Sequence, residues 1–146
     1  MPRYFTLSEA EALLPSVRAR LEEAINAKVE LAAIDAEFQD LMARISMAGG
    51  SEINPTKVAR RKIERSSLVK SIEGAIDFIQ TNGCVVKDLD SGLLDFPALL
   101  GNDEIYLCWK LGEPRIEWWH RINDGFAGRR RIGDEFADKG PTGLPN

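Results

Sequence analysis

Most side chains that could do chemistry lie in the second half of the 146-residue chain. His120 is the only histidine, and an imidazole exchanges protons readily near neutral pH. A hydrolytic site would use His120 as the base for Cys108, with a carboxylate to orient the ring. The carboxylates that could fill this role are Asp95 and Asp124, and Glu113 is a further carboxylate that could act with His120 in a hydrolase. The alternative is a structural role, in which His120 closes the edge of a sheet by hydrogen bonding.

A segment rich in glycine and arginine follows the histidine. Gly125 and Gly128 allow backbone N–H groups to approach a ligand closely, and the fork of Arg129 suits phosphate or carboxylate groups. The spacing of a P-loop is absent, and no particular cofactor is indicated. The composition predicts a small anionic ligand bound by Arg129, Gly125, Gly128 and His120. The alternative is a flexible exit strand with solvated arginines.

The segment from Asp88 to Gly92 resembles a calcium loop only superficially. Its glycine comes one position too early, and Leu99 stands where the bidentate glutamate of such a loop belongs. A turn with solvated carboxylates explains the segment without an ion, so we expect no metal site.

Aromatic side chains near the arginines could stack on the bases of single-stranded nucleic acid. These residues are Tyr106, Trp109, Trp118 and Trp119. The chain has a formal net charge of −4, and its pI is about 5.1. Because nucleic-acid binding demands a basic footprint, these values argue against a nucleic-acid partner.

The two cysteines, Cys84 and Cys108, lie far apart and lack the spacing of a redox or metal motif. Free thiols in a reducing compartment are therefore expected, and not a disulfide framework. The N-terminus is polar, unlike a signal peptide, and no apolar stretch reaches the roughly 18 residues that a membrane span requires. We expect a cytoplasmic protein with no membrane partner.

Two helices must position these groups, and we predict an antiparallel helical hairpin over about residues 6–82. Thr6 and Glu9 have the spacing of a capping box, and no proline or glycine interrupts residues 16–47. The second helix is expected to run from about Pro55 to Thr81. The first helix is acidic, and the first half of the second is basic. The apolar stripe of the first helix continues past what the second can cover, so we expect a homodimer.

A small antiparallel β-meander of three to four strands should follow over about residues 84–122, which makes the fold class α+β. Apolar runs at 93–100 and 105–111 flank a hairpin turn at Gly101-Asn102-Asp103. We expect one domain over residues 1–132. Residues 133–146 lack a periodic apolar pattern and are expected to form a flexible C-terminal tail.

The turn at Gly112-Glu113 sets the predicted register of the last hairpin. Glycine comes first, as a two-residue type II′ turn requires. This register places Trp118 opposite Leu107, on the face that packs against the helices. His120 then lies on that same face, whereas Cys108 projects from the other side of its strand, which counts against a Cys–His site.

Three stretches carry a recognisable pattern. They include Tyr4-Phe5-Thr6-Leu7, Val86-Lys87-Asp88-Leu89-Asp90 and the highly specific Tyr106-Leu107-Cys108-Trp109-Lys110-Leu111-Gly112-Glu113-Pro114. Over roughly residues 4–132 the chain resembles the bacterial and archaeal family catalogued as domain of unknown function 2203. That family has no established activity to carry over. Its recurring polar and glycine positions would fall on Asp88, Asp90, Asp95, Glu113, His120, Gly125, Gly128 and Arg129.

The sequence leaves two functional hypotheses open. The first is a non-enzymatic binding or scaffold protein, homodimeric, with an anion or small-ligand pocket near His120 and Arg129. The second is a hydrolase-like enzyme in which His120 acts with nearby carboxylates, with or without a metal ion.

Overall fold

Two long helices form an antiparallel hairpin in the computed structural model, which describes residues 3–48 and 53–136. Helix α1 spans Leu7–Ala48 and helix α2 spans Pro55–Thr81. Pro15 lies within α1. The predicted loop between the helices lies partly outside the described residues. Within the described ranges, neither helix combines the length and apolar character needed to cross a membrane.

Side-chain caps define where both helices begin. The Thr6 N–H donates to the Glu9 carboxylate at 2.8 Å, and the Glu9 N–H donates to the Thr6 hydroxyl oxygen at 3.1 Å. This reciprocal pair confirms the predicted capping box. At α2 the Asn54 side chain accepts hydrogen bonds from two backbone N–H groups of the first turn, and Pro55 follows it.

A five-stranded antiparallel meander packs on the hairpin, which confirms the α+β class and adds one strand to the upper end of the prediction. The strand order is β1-β2-β3-β4-β5. The strands are β1 Val85–Asp88, β2 Leu93–Leu100, β3 Asp103–Lys110, β4 Trp118–Arg121 and β5 Arg130–Arg131. Short 3-10 turns at Phe126–Gly128 and Asp134–Phe136 complete the described part.

The core lies between one face of the sheet and the ends of the helices nearest to it. Every second residue of β2 and β3 points to this inner face, as strand geometry requires. The largest fully buried side chains there include Trp109, Phe96, Leu21, Ile79, Leu94, Ile105 and Leu107.

The segment before α1 hydrogen-bonds to the backbone of part of β2. The Phe5 N–H donates to the Pro97 carbonyl at 2.7 Å, and the Phe5 ring meets the Phe96 ring edge-on at a centroid distance of 5.4 Å. Pro97 itself has no N–H to offer a neighbouring strand. The N-terminal segment therefore lies where β1 no longer pairs with β2.

The turn after β3 differs from the prediction. The Glu113 N–H donates to the Lys110 carbonyl at 3.0 Å, which makes Lys110–Glu113 a β-turn with Gly112 in its third position. Gly112 has a φ of +104°, and glycine is favoured at that position when φ is positive. The Glu113 carboxylate also accepts from the Lys110 N–H at 2.8 Å, so one residue closes the turn twice. The predicted turn places Gly112 one position too early.

The predicted register of β3 and β4 is wrong by one residue. Cys108 lies opposite Trp118 and Leu107 lies opposite Trp119. Trp119 is therefore the tryptophan of β4 that joins the core, and Trp118 faces outward. The same shift moves His120 to the outer face of the sheet, which it shares with Cys108, because a one-residue slip reverses every side chain of a strand.

The structure describes the first four residues of the predicted tail, which include the 3-10 turn at Asp134–Phe136. Phe136 packs on the core and its ring centroid lies 5.7 Å from that of Trp119. Residues 137–146, where the rest of the predicted tail falls, lie outside the described residues.

Gly92 and Gly74 should respond in opposite ways to alanine. A Cβ at Gly92, whose φ is +71°, would lie 2.6 Å from the Leu111 Cβ, so Gly92→Ala should lower the free energy of unfolding by about 1–3 kcal/mol. Gly74 lies in α2 with nothing near its Cβ position, so Gly74→Ala should raise it by about 0.5–1 kcal/mol. Urea denaturation measures both, and a stabilising Gly92→Ala would contradict the close approach of Leu111.

Candidate functional site

Three chemically active side chains meet at the centre of the outer face of the sheet, and we call them the Asp–His–Cys cluster. Asp95 on β2 pairs directly with Cys108 on β3, and His120 reaches them from β4. The His120 Nε2 lies 3.1 Å and 3.0 Å from the two Asp95 carboxylate oxygens. Asp95 is 1% exposed and His120 is 2% exposed, so water scarcely reaches the contact.

The backbone determines which ring nitrogen of His120 carries hydrogen. Nδ1 lies 2.8 Å from the Arg121 carbonyl, and because a carbonyl can only accept, Nδ1 must donate. In a neutral imidazole Nε2 would then present a lone pair to the carboxylate of Asp95. The contact is attractive only if a cation lies between them, and a single shared proton supplies the simplest one. The pair is neutral overall, as burial requires.

Cys108 completes the cluster as a thiol. Burial, followed by the charge of Asp95, raises the pKa of Cys108 to about 12. At neutral pH the sulfur is therefore protonated and a poor nucleophile. The ligand atoms of Asp95, Cys108 and His120 all lie within 4.8 Å of one another, so within residues 3–48 and 53–136 these three side chains form a group that could hold a metal ion.

Arg129 adjoins this cluster with its own set of contacts. Its Nη2 donates to both oxygens of Glu113, at 2.6 Å and 2.7 Å, and lies 3.5 Å from the Cys108 carbonyl. The guanidinium carbon is 5.0 Å from the Trp118 ring centroid and 4.7 Å from that of Phe126. Arg129 is thus held between two aromatic rings and charge-paired with the residue that closes the β3 turn.

The other residues predicted for a functional site lie apart from the Asp–His–Cys cluster and from Arg129. Asp88 ends β1 and accepts a hydrogen bond from Ser91, which holds the pKa of its carboxyl below the usual range. Asp90 pairs with Lys28 of α1. Asp124 is exposed in the turn after β4, where it lies against Gly128. Gly125 has a φ of +67° and precedes the 3-10 turn.

Sequence reasoning missed two contributors to the cluster. Tyr106 lies opposite His120, with ring centroids 5.5 Å apart, and the Arg121 carbonyl orients the imidazole. The predicted register also placed Cys108 and His120 on opposite faces of the sheet. A predicted register with Trp119 facing the core would have indicated the cluster, because that register also places His120 on the same face as Cys108.

Both thiols should be unreactive in the folded protein. Cys84 and Cys108 are 1% and 0% exposed, and burial raises the pKa of each. Because the thiolate is the reacting species, a disulfide reagent at pH 8 should modify neither in the native state. Two equivalents should react after denaturation, when both groups regain ordinary pKa values. Rapid reaction of one thiol in the native protein would contradict this description.

Removing one partner of the Asp95–His120 pair should be costly. His120→Ala leaves a buried carboxylate without its cation, so the free energy of unfolding should fall by about 3–5 kcal/mol in urea denaturation. Arg44→Ala is the matched control, because it breaks an exposed ion pair with Asp40 at 3.3 Å and should change stability little. Equal losses in the two variants would contradict a special role for burial.

Comparison with known proteins gives a family and no activity. No curated protein and no solved structure matches the chain. Residues 3–132 match a family described as an uncharacterized conserved protein, DUF2203. This match includes all five strands, the Asp–His–Cys cluster and Arg129. Because it covers most of the 146 residues, the chain belongs to the DUF2203 family.

Proposed function

We propose that the protein is a non-enzymatic scaffold that works as a homodimer, joined through the part of the helical hairpin farthest from the sheet. We call this part the distal hairpin and define it as residues 29–47 of α1 and 55–74 of α2. The observation that carries the proposal is its burial pattern. Only Ile34 is buried there, whereas the sheet-proximal half of α1 contributes a continuous series of buried side chains.

Large apolar side chains remain at the surface of the distal hairpin. Val29 is 67% exposed, Met42 66%, Met47 90% and Ile63 70%. Two helices alone give each other one contact face, and further apolar positions need another element to cover them. A second copy supplies two more helices and would complete a four-helix arrangement.

The charges of the distal hairpin favour a second copy over an unrelated partner. Residues 29–47 contain four carboxylates and one arginine, while residues 55–74 contain six cations and two carboxylates. Within one chain Arg65 pairs with Asp35 at 2.7 Å and Arg61 with Glu37 at 2.8 Å. In a two-fold dimer with α1 of each copy beside α2 of the other, this acidic–basic pairing would be repeated between the copies.

The outer face of the sheet gives less support to the other functions considered. An anion near His120 and Arg129 would have to displace Glu113, which already accepts from the Arg129 guanidinium. An open cleft of about 630 Å³ lies elsewhere, between α1 and the β3–β4 loop, and it borders Glu113 but not His120. A hydrolase that used His120 as its base would need that base to be accessible, and a cysteine nucleophile would have to be reactive, but His120 and Cys108 are both buried. Two free, buried cysteines are in keeping with a cytoplasmic scaffold.

Size-exclusion chromatography with light scattering tests the dimer. The wild-type protein should have twice the 16.2 kDa chain mass and dissociate on dilution. Met42→Glu combined with Ile63→Glu places a charge on the exposed face of each helix, so the dissociation constant should rise at least about tenfold.

Leu99→Glu is the matched control, because Leu99 is a 47% exposed leucine on β2, away from the hairpin. It should leave the dimer intact. A wild-type monomer at high concentration would end the proposal, as would dissociation caused by Leu99→Glu alone.

A further inference from the structure

The contact between His120 and Asp95 needs a positive charge, and a proton is not the only cation that could supply it. With Nδ1 committed to the Arg121 carbonyl at 2.8 Å, the Nε2 lone pair points at two carboxylate oxygens about 3 Å away. Imidazole, carboxylate and thiol are three groups that bind borderline transition metals, and here they converge from three adjacent strands.

We propose that Asp95, Cys108 and His120 bind one Zn²⁺ ion. This site is separate from the distal hairpin and does not depend on the proposed dimer. The imidazole, carboxylate and thiolate groups of the three residues are the ligand types that zinc takes in proteins.

The geometry requires only small movements. With zinc–nitrogen and zinc–oxygen bonds of about 2.0–2.2 Å, tetrahedral ligand atoms lie about 3.3–3.5 Å apart. The Nε2 of His120 is 3.0–3.1 Å from the Asp95 oxygens, so these groups must separate by a few tenths of an ångström. The Cys108 sulfur lies within 4.8 Å of both, against an ideal separation of about 3.6 Å. A rotation of the short Cys108 side chain covers that difference.

The surroundings have the features of a supported metal ligand. A histidine that binds zinc through one nitrogen ordinarily donates its other N–H to a carbonyl or carboxylate, and the Arg121 carbonyl does this for His120. The Tyr106 ring packs at 5.5 Å and restricts rotation of the imidazole. The ring is thus oriented for a metal before any metal arrives.

The charges balance in the same way with zinc as with protons. Binding of Zn²⁺ displaces the proton shared by Asp95 and His120 and the proton of the Cys108 thiol, so two protons leave as one dication enters. The cluster stays neutral in both states, which its burial demands. A hard ion such as Ca²⁺ or Mg²⁺ would find oxygen ligands only on Asp95 among these three side chains, so the ligand set selects zinc or a chemically similar ion.

Cobalt titration of the full chain tests the proposal. Protein stripped with a chelator should bind one Co²⁺ per chain with the visible spectrum of a tetrahedral ion and a sulfur-to-cobalt charge-transfer band, and one equivalent of Zn²⁺ should abolish both. Cys108→Ser should remove the charge-transfer band and weaken zinc binding at least about 100-fold. His120→Gln, as a second ligand variant, should also weaken binding.

Cys84→Ser is the matched control, because Cys84 is an equally buried cysteine that packs in the core between sheet and helices. It should keep the charge-transfer band and the wild-type affinity. The wild-type titration is decisive even if a ligand variant fails to fold: absence of the tetrahedral cobalt spectrum and of retained zinc would overturn the proposal. Binding that Cys108→Ser leaves unchanged, or that Cys84→Ser removes, would overturn it as well.

Discussion

The hydrogen bonds of Glu113 join the turn after β3 to Arg129, which lies beyond β4 in the chain. The Glu113 N–H and carboxylate both bind the backbone of Lys110, and the same carboxylate holds Arg129. The pairing of β3 with β4 places Trp119 opposite Leu107, so Trp119 faces the core. His120 and Cys108 therefore share the outer face, where they meet Asp95.

The two faces of the sheet consequently have different chemistry. The inner face is apolar and packs on the helices, with Trp119 as the contribution from β4. The outer face buries a carboxylate, an imidazole and a thiol at its centre, with a paired arginine beside them. Burying such groups requires every charge to be compensated, and each contact of His120, Asp95 and Arg129 contributes to that compensation.

The helices were largely predictable from sequence, since local signals define them. The Thr6–Glu9 box and Pro55 act within one turn of helix, and both helices begin where these signals predict. The register of β4 was not predictable from apolar pattern, because adjacent tryptophans allow an apolar side chain to face inward in either register. His120, Asp95, Glu113 and Arg129 were all identified as candidates, but the pairing of Arg129 with Glu113 could not be read from their spacing.

The closure of β2 by the N-terminal segment has a consequence for association. A sheet edge with unpaired N–H and C=O groups is a template for pairing with another chain. Here the Pro97 carbonyl is taken by Phe5, β1 is four residues long with an irregular register, and β5 has two residues. The described part of the sheet thus offers no long edge on which a second molecule could add a strand. The meander is protected against edge-to-edge aggregation, and contact between copies is left to side chains, not to the backbone.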